Sequence, residues 1–126
     1  MQSETLAGGT LETWTPEEVA DALAKGEIVL IDVRTPNEYI HEHIHGALLL
    51  PMQDFEAHYL PRSDRMLVLH CGSGIRSKMV AERILGAGWD MVAHMGGGFG
   101  GWKESGQDYI GTNPGDGAPK KMRKQV

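Results

Sequence analysis

The chain carries a single cysteine in its 126 residues, so no internal disulfide can staple it, and a lone thiol suits a reducing compartment. It has no apolar stretch that approaches the length of a membrane span. Its first residues, Met1 to Gly9, include Glu4 and lack the basic and apolar segments of a secretory signal. The expected location is the cytoplasm, with no membrane partner. Basic residues are the minority: 12 Lys and Arg against 17 Asp and Glu give a formal net charge of -5. That balance leaves no basic stripe for nucleic acid. There is no internal repeat of solenoid length. A chain of this size supports one domain with a single adequate core.

What is present is an alternation of short apolar runs with helix signals. Thr15-Pro16-Glu17-Glu18 and Thr35-Pro36-Asn37-Glu38 each place Thr at a helix N-cap, Pro at the first helical position and Glu at the third. The first helix continues through Val19, Ala22 and Leu23 and stops near Gly26; the second is short and carries Tyr39 and Ile40. Between them, Ile28 to Val33 is a nearly continuous aliphatic run, as in a strand buried on both faces. Ala47 to Leu50, Met66 to His70 and Met91 to Met95 predict further strands. Gln53 to Leu60 and Ile75 to Leu85 predict helices, the latter with Ile75 and Met79, then Val80 and Ile84, at i, i+4 spacing. Strand and helix thus alternate, which implies an α/β fold with a parallel sheet covered on both faces and a site at the carboxyl ends of the strands. Residues 1–9 and 108–126, rich in Gly, Pro and polar residues, are expected to be flexible ends around a domain at 10–107. The second of these ends in the basic run Lys120-Lys121-Met122-Arg123-Lys124.

Cys71 stands where the Met66 to His70 strand gives way to Gly72-Ser73-Gly74-Ile75-Arg76-Ser77. A small-residue loop that feeds a helix turns several backbone N–H groups toward one point. Those donors, the positive helix end and Arg76 all favour a thiolate, the nucleophilic form of cysteine. A cysteine among aliphatics is ordinarily a small buried hydrophobe. Here two glycines, two serines and an arginine are poor core fillers and good parts of an anion-binding turn.

Asp32-Val33-Arg34, Glu38-Tyr39, His43-Ile44-His45-Gly46-Ala47, Cys71 to Ser77 and Gly97-Gly98-Phe99-Gly100-Gly101-Trp102, in this order, resemble the rhodanese-like sulfurtransferase domain from about residue 11 to 106. The resemblance implies a mostly parallel, five-stranded central sheet flanked by helices on both faces. It implies that Cys71 carries a sulfane sulfur as a persulfide, with Gly72, Ser73, Gly74, Ile75 and Arg76 completing the active-site loop. The implied reaction takes sulfur from thiosulfate or a related donor and passes it to a thiol, to cyanide in vitro, or to a protein acceptor, without metal or organic cofactor. Two departures stand out. Glu42 occupies a position where relatives commonly have Gly, and would strain a C-cap of positive φ; Gly72 and Ser73 replace charged residues found in some relatives.

Arg76 has two readings, orienting the donor's oxyanions or pairing with a carboxylate such as Asp32 to brace the loop. Arg34 is expected to be structural. Ser77 either caps the helix, the preferred reading, or hydrogen-bonds the sulfur. His70 is expected to face away from the nucleophile, because adjacent strand side chains alternate. His41, His43 and His45 are expected to be loop or capping residues rather than metal ligands. Gly96 to Gly101 contains G-x-G-x-x-G, but near the end of the domain and without a following βαβ unit. Close packing beside the active loop, with Phe99 and Trp102 supplying apolar contacts, explains it better than nucleotide binding. The rival functions are a cysteine phosphatase or arsenate reductase, a partner-specific sulfur carrier and a noncatalytic interaction module. The spacing from Cys71 to Arg76, five positions, is one shorter than in related phosphatases and suits a single sulfur atom better than a phosphate.

Overall fold

The computed structural model describes residues 1–61 and 63–123. Its centre is a six-stranded sheet in the order β1-β2-β6-β5-β3-β4, where β1 is Gln2–Leu6, β2 Gly9–Trp14, β3 Ile28–Asp32, β4 Leu48–Leu49, β5 Met66–His70 and β6 Met91–Met95. The five strands from β2 to β4 run parallel, as the resemblance implies, and β1 adds a sixth, antiparallel to β2. Residues 2–6, expected to be a flexible end, are therefore an edge strand. The sequence hides it for two reasons. Its side chains are nearly all exposed, so no apolar alternation marks it, and its turn is made by Ala7 and Gly8 with φ of 50° and 85°, a primed hairpin turn without the usual Asn-Gly.

The other end differs likewise. β7 (Tyr109–Thr112) and β8 (Pro119–Met122) form a separate antiparallel hairpin, seated by buried Tyr109 and by Asp108, which receives Lys121 and Arg123. Of the basic run, Lys124 lies outside the described residues.

Among the described residues there are four α-helices: α1 Pro16–Ala24, α2 Pro36–His41, α3 Ile75–Gly86 and α4 Gly98–Glu104. Thr15 and Thr35 each close a capping box with a Glu at the third helical position. Among the described residues no helix is long and apolar enough to cross a membrane. Residues 53–60, expected to be helical, instead form two single 3₁₀ turns, Met52–Asp54 and Ala57–Tyr59, with Phe55 and Glu56 extended between them. Both Phe55 and Leu60 are buried. Five residues apart, they would lie about 140° apart around an α-helix, and the broken path lets both reach one core.

The two faces of the sheet carry separate apolar clusters, set by the two-residue period of the strands. Ile31, Leu67, Leu69 and Val92 pack toward α3 with Val80, Ala81, Ile84, Leu85, Phe55 and Leu60. Ile28, Leu30, Val68, Ala93 and Met95 pack toward α1 and α4 with Val19, Phe99 and Trp102. Of the two apolar rows expected on α3, only Val80 and Ile84 are buried; Ile75 and Met79 are 71 % and 47 % exposed. The helix turns its Ser77, Val80, Ala81 and Ile84 face inward, which carries the neighbouring Ile75–Met79 row out to solvent.

Candidate active site

The phase of β5 decides which side of the sheet each reactive group faces. Cys71 follows Leu67 and Leu69 onto the α3 face, while His70 follows Val68 onto the other, as the alternation predicts. His70 lies beside Phe99, with ring centroids 6.3 Å apart, and its Nε2 is 3.5 Å from Asp32 Oδ2. Burial holds His70 below its ordinary pKa, with the neighbouring Asp32 opposing; it is no base for Cys71.

Gly74 is the N-cap of α3 with φ of 111°, a conformation glycine adopts without the strain that a Cβ brings. With no side chain capping this end, the first amides of the helix are left to the sulfur. The Gly74 N–H donates to Cys71 Sγ at 3.0 Å. Burial pushes the Cys71 thiol up, but the amides of Ser77, Gly74 and Ser73 and the Ser77 hydroxyl act the other way, and together they hold it below its ordinary value. Cys71 itself is 1 % exposed and forms the floor of the loop, whose Ser73 and Ile75 are exposed above it. Ser77 is not the cap. It sits at the third helical position, where its hydroxyl lies 3.7 Å from Cys71 Sγ, 3.2 Å from the Gly74 carbonyl oxygen and 2.8 Å from His94 Nδ1.

The loop is backed by the glycine-rich segment, as close packing predicts. The Phe99 and Gly100 amides donate to the carbonyls of Cys71 (2.7 Å) and Gly72 (3.1 Å). At Gly98, with φ of 59°, a Cβ would fall 2.6 Å from Cys71 O, Gly72 C and Ser73 N. Only glycine lets α4 approach so closely.

Arg34, and not Arg76, takes the Asp32 carboxylate. Asp32 accepts the Arg34 amide at 2.9 Å and its Nε and Nη2 at 2.9–3.1 Å. Arg34 Nη2 also donates to the Glu42 carbonyl at 2.7 Å, and its guanidinium lies 4.5 Å from the Phe99 ring centre. Asp32 is thus taken by Arg34. Arg76 pairs with Glu38, through Nη1 to Oε1 at 2.7 Å and Nη2 to Oε2 at 3.0 Å. Glu38 therefore has two tasks, since its Oε1 also accepts the Thr35 amide and hydroxyl. The hydrogen bond from Arg76 draws the Glu38 carboxyl down to about 2, against its partial burial, with Thr35 helping. The sequence marks Glu38 as a capping residue and as part of the Glu38-Tyr39 pair in the family resemblance; neither gives a sign of a second partner 38 residues away.

Glu42 carries no strain: its φ is -150°, and the positive φ lies instead at Gly46, 93°. Its carboxylate takes Lys103 at 3.0 Å. His43 stacks on Tyr39 with centroids 4.1 Å apart and donates through Nδ1 to the Tyr39 carbonyl. Among the described residues no group of three or more His, Cys, Asp or Glu is placed to hold a metal ion. A cleft of about 310 Å³ lined by His45, Asp108, Tyr109, Ile110 and Lys121 shares no residue with the loop.

Cys71 thus ends a parallel strand as a buried thiol, with an N–H donor on its sulfur and its pKa drawn below the ordinary value. The chain belongs to the rhodanese-like domain family, which matches residues 15–105. Its relatives include sulfurtransferases: it is 34% identical over 95 residues to the thiosulfate sulfurtransferase GlpE of Coxiella burnetii, covering 74% of this chain and 82% of that protein. It is 38% identical over 95 residues to the probable adenylyltransferase/sulfurtransferase MoeZ of Mycobacterium tuberculosis, covering 71% of this chain and 24% of that one. The chain spans 63% of the length of an uncharacterized Synechocystis relative, so the first curated relatives it matches extend well beyond it. The solution structure of the rhodanese-like domain of the Anabaena Alr3790 protein has the same fold, with a TM-score of 0.71 at 20% identity, covering 90% of this chain and 92% of that domain.

Proposed function

We propose that the protein is a sulfurtransferase that moves a sulfane sulfur through a persulfide on Cys71, with thiosulfate as a competent donor and cyanide or a thiol as acceptor. The observation that carries this reading is the amide cup: the Gly74 N–H donates to Sγ at 3.0 Å, and the backbone of Ser73 and Ser77 adds to the pull that lowers the thiol's pKa. The Cys71 thiolate attacks the outer sulfur of thiosulfate, the sulfur–sulfur bond of the donor breaks, and sulfite leaves with the bonding pair. The product is Cys71–S–S⁻. An acceptor nucleophile then takes the terminal sulfur, and Cys71 leaves as thiolate. Anionic sulfur is present before, between and after the two steps, so donors fixed in advance stabilise every stage. Neither step needs a metal or an organic cofactor.

A protein acceptor is the natural partner of such a site in a reducing compartment such as the cytoplasm, and Ile75, 71 % exposed at the loop, offers it an apolar contact. Phosphoryl chemistry fits less well, because Arg76 closes the loop after five positions and its fork is occupied by Glu38. The test is thiocyanate formation from thiosulfate and cyanide, with intact-mass detection of one added, reducible sulfur on Cys71. Wild type should show both and Cys71→Ser neither. Hydrolysis of an aryl phosphate without sulfur loading, or transfer that survives in Cys71→Ser, would overturn the proposal.

A further inference from the structure

Behind the nucleophile runs a line of polar groups that the amide cup does not need. Ser77 Oγ, 3.7 Å from Cys71 Sγ, is 2.8 Å from His94 Nδ1. The other ring nitrogen of His94, Nε2, is 3.2 Å from Thr13 Oγ1. His94 follows Val92 in β6 and so faces α3, and Thr13 follows Leu11 in β2 to the same side. His94 is 6 % exposed, in a strand otherwise made of Met, Val and Ala. A histidine placed there with both nitrogens engaged is oriented by its neighbours rather than by solvent.

We propose that His94 is a positioning residue for Cys71, acting through Ser77. In the thiolate state the Thr13 hydroxyl donates to Nε2, Nδ1–H donates to Ser77 Oγ, and the Ser77 hydroxyl donates its single proton to Sγ. All three donors then point toward the sulfur, and bonds aligned head to tail polarise one another. With Nδ1–H occupying the serine oxygen, the hydroxyl proton is directed to the thiolate in preference to the Gly74 carbonyl. This arrangement uses neutral imidazole. Burial, and the ammonium of Lys78 nearby, hold His94 below its ordinary pKa, with Glu4 opposing, so the neutral ring prevails at pH 7. Lys78 of α3 and Glu4 of β1 pair with one another at 3.2 Å. On the sulfur's side the charged neighbour is Arg76, held by Glu38. Thr13, the outer end of this line, precedes the segment matched by the family, residues 15–105.

Resting on the sulfur-transfer reading is one further consequence. Ser77 meets Sγ itself, the atom that bears charge as the free thiolate and as the leaving group when the acceptor removes the outer sulfur. The line therefore assists nucleophile formation and persulfide discharge alike.

The test is the pH dependence of Cys71 alkylation by iodoacetamide in the full chain, with melting curves to verify folding. His94→Phe, which keeps a ring and removes both nitrogens, should raise the alkylation midpoint by about one pH unit, and slow alkylation about tenfold below it. His94→Asn, whose amide N–H takes the place of Nδ1–H, should recover most of that loss. Ser77→Ala should shift the midpoint at least as far, and Ser77→Ala with His94→Phe no further. An unmoved midpoint in His94→Phe, no recovery by His94→Asn, or fully additive shifts in the double variant would overturn the proposal. If His94→Phe does not fold, Thr13→Val decides: a raised midpoint, reached only with Ser77 present, supports the line, and an unchanged one overturns it. Thiocyanate formation is read separately. Shifted midpoints without thiocyanate would sink the sulfur-transfer reading and leave the line standing; thiocyanate with unmoved midpoints would do the reverse.

Discussion

Arg34 and Arg76 are each joined to a carboxylate by two or more hydrogen bonds, yet they hold different kinds of region. Arg34 and Asp32 have side chains 5% and 0% exposed, and Arg34 is further tied to the Glu42 carbonyl and covered by Phe99. It fastens the end of β3 to the segment after α2 and has nothing left to offer a ligand. Arg76 and Glu38 are 32% and 36% exposed, at the loop that holds Cys71. Solvent competes there for both partners and screens their attraction. A fully desolvated pair is a brace, because opening it strands a charge; a half-solvated one is a clasp that opens at small cost.

Removing each arginine in turn puts the largest strain on this distinction. Arg34→Ala leaves the Asp32 carboxylate buried with its guanidinium gone, and should lower stability by about 3–5 kcal/mol in urea denaturation. Arg76→Ala should change it by less than about 1 kcal/mol. Equal losses would show that burial does not separate the two.

The elements that position the loop were readable because each announces itself locally: a Thr-Pro-x-Glu box needs four residues, and a doubly buried strand is a run of aliphatics. The loop was readable for the same reason, being seven consecutive residues ending a strand. What was hidden depends on contacts distant in sequence. Arg76 finds Glu38 rather than Asp32, because Asp32 is consumed by the arginine two residues on, and a sequence does not state which of two acidic residues is free. β1 is hidden because an exposed edge strand has no apolar face to display. The exposure of Ile75 and Met79 could not be read from i, i+4 spacing, which marks rows on a helix without saying which row meets the sheet. Ser77 and His94 meet only because β6 lies beside β5 in the order of strands; the sequence signal, an inward-phased histidine between Val92 and Met95, has no meaning until that neighbour is known.

Two glycines sharpen the contrast between a region built to close tolerance and one that is not. At Gly98 a Cβ meets three backbone atoms of the loop at 2.6 Å with φ of 59°, so Gly98→Ala must push α4 off Cys71 and Gly72, for about 1–3 kcal/mol. The amide cup moves with them, and sulfur loading should fall by more than the loss of stability explains. Gly86, in the last turn of α3, has nothing within 4 Å of its would-be Cβ, and Gly86→Ala should stabilise by about 0.5–1 kcal/mol with loading unchanged. Thermal melting beside intact-mass loading separates the two, and an inert Gly98→Ala would refute the role given to close packing.

The smallest effect reads the clasp itself. Glu38 titrates at about 2 in the folded chain against an ordinary 4.5, chiefly because Arg76 donates to its carboxylate. A carboxyl with a depressed folded pKa binds protons more readily when unfolded, so its stabilising contribution is complete above about 4.5. It drains away as the pH falls toward 2, where the folded form also protonates. In Arg76→Ala the main cause of the depression is gone while the Thr35 contacts remain. Melting temperatures followed from pH 6 to pH 2 should therefore fall more steeply in wild type than in Arg76→Ala, and the curves should draw together at the acid end. The difference should be a few degrees at most, because both partners are partly solvated. Parallel curves would mean that Arg76 and Glu38 do not hold one another in solution, and that the arginine's fork is free for the donor's oxyanion.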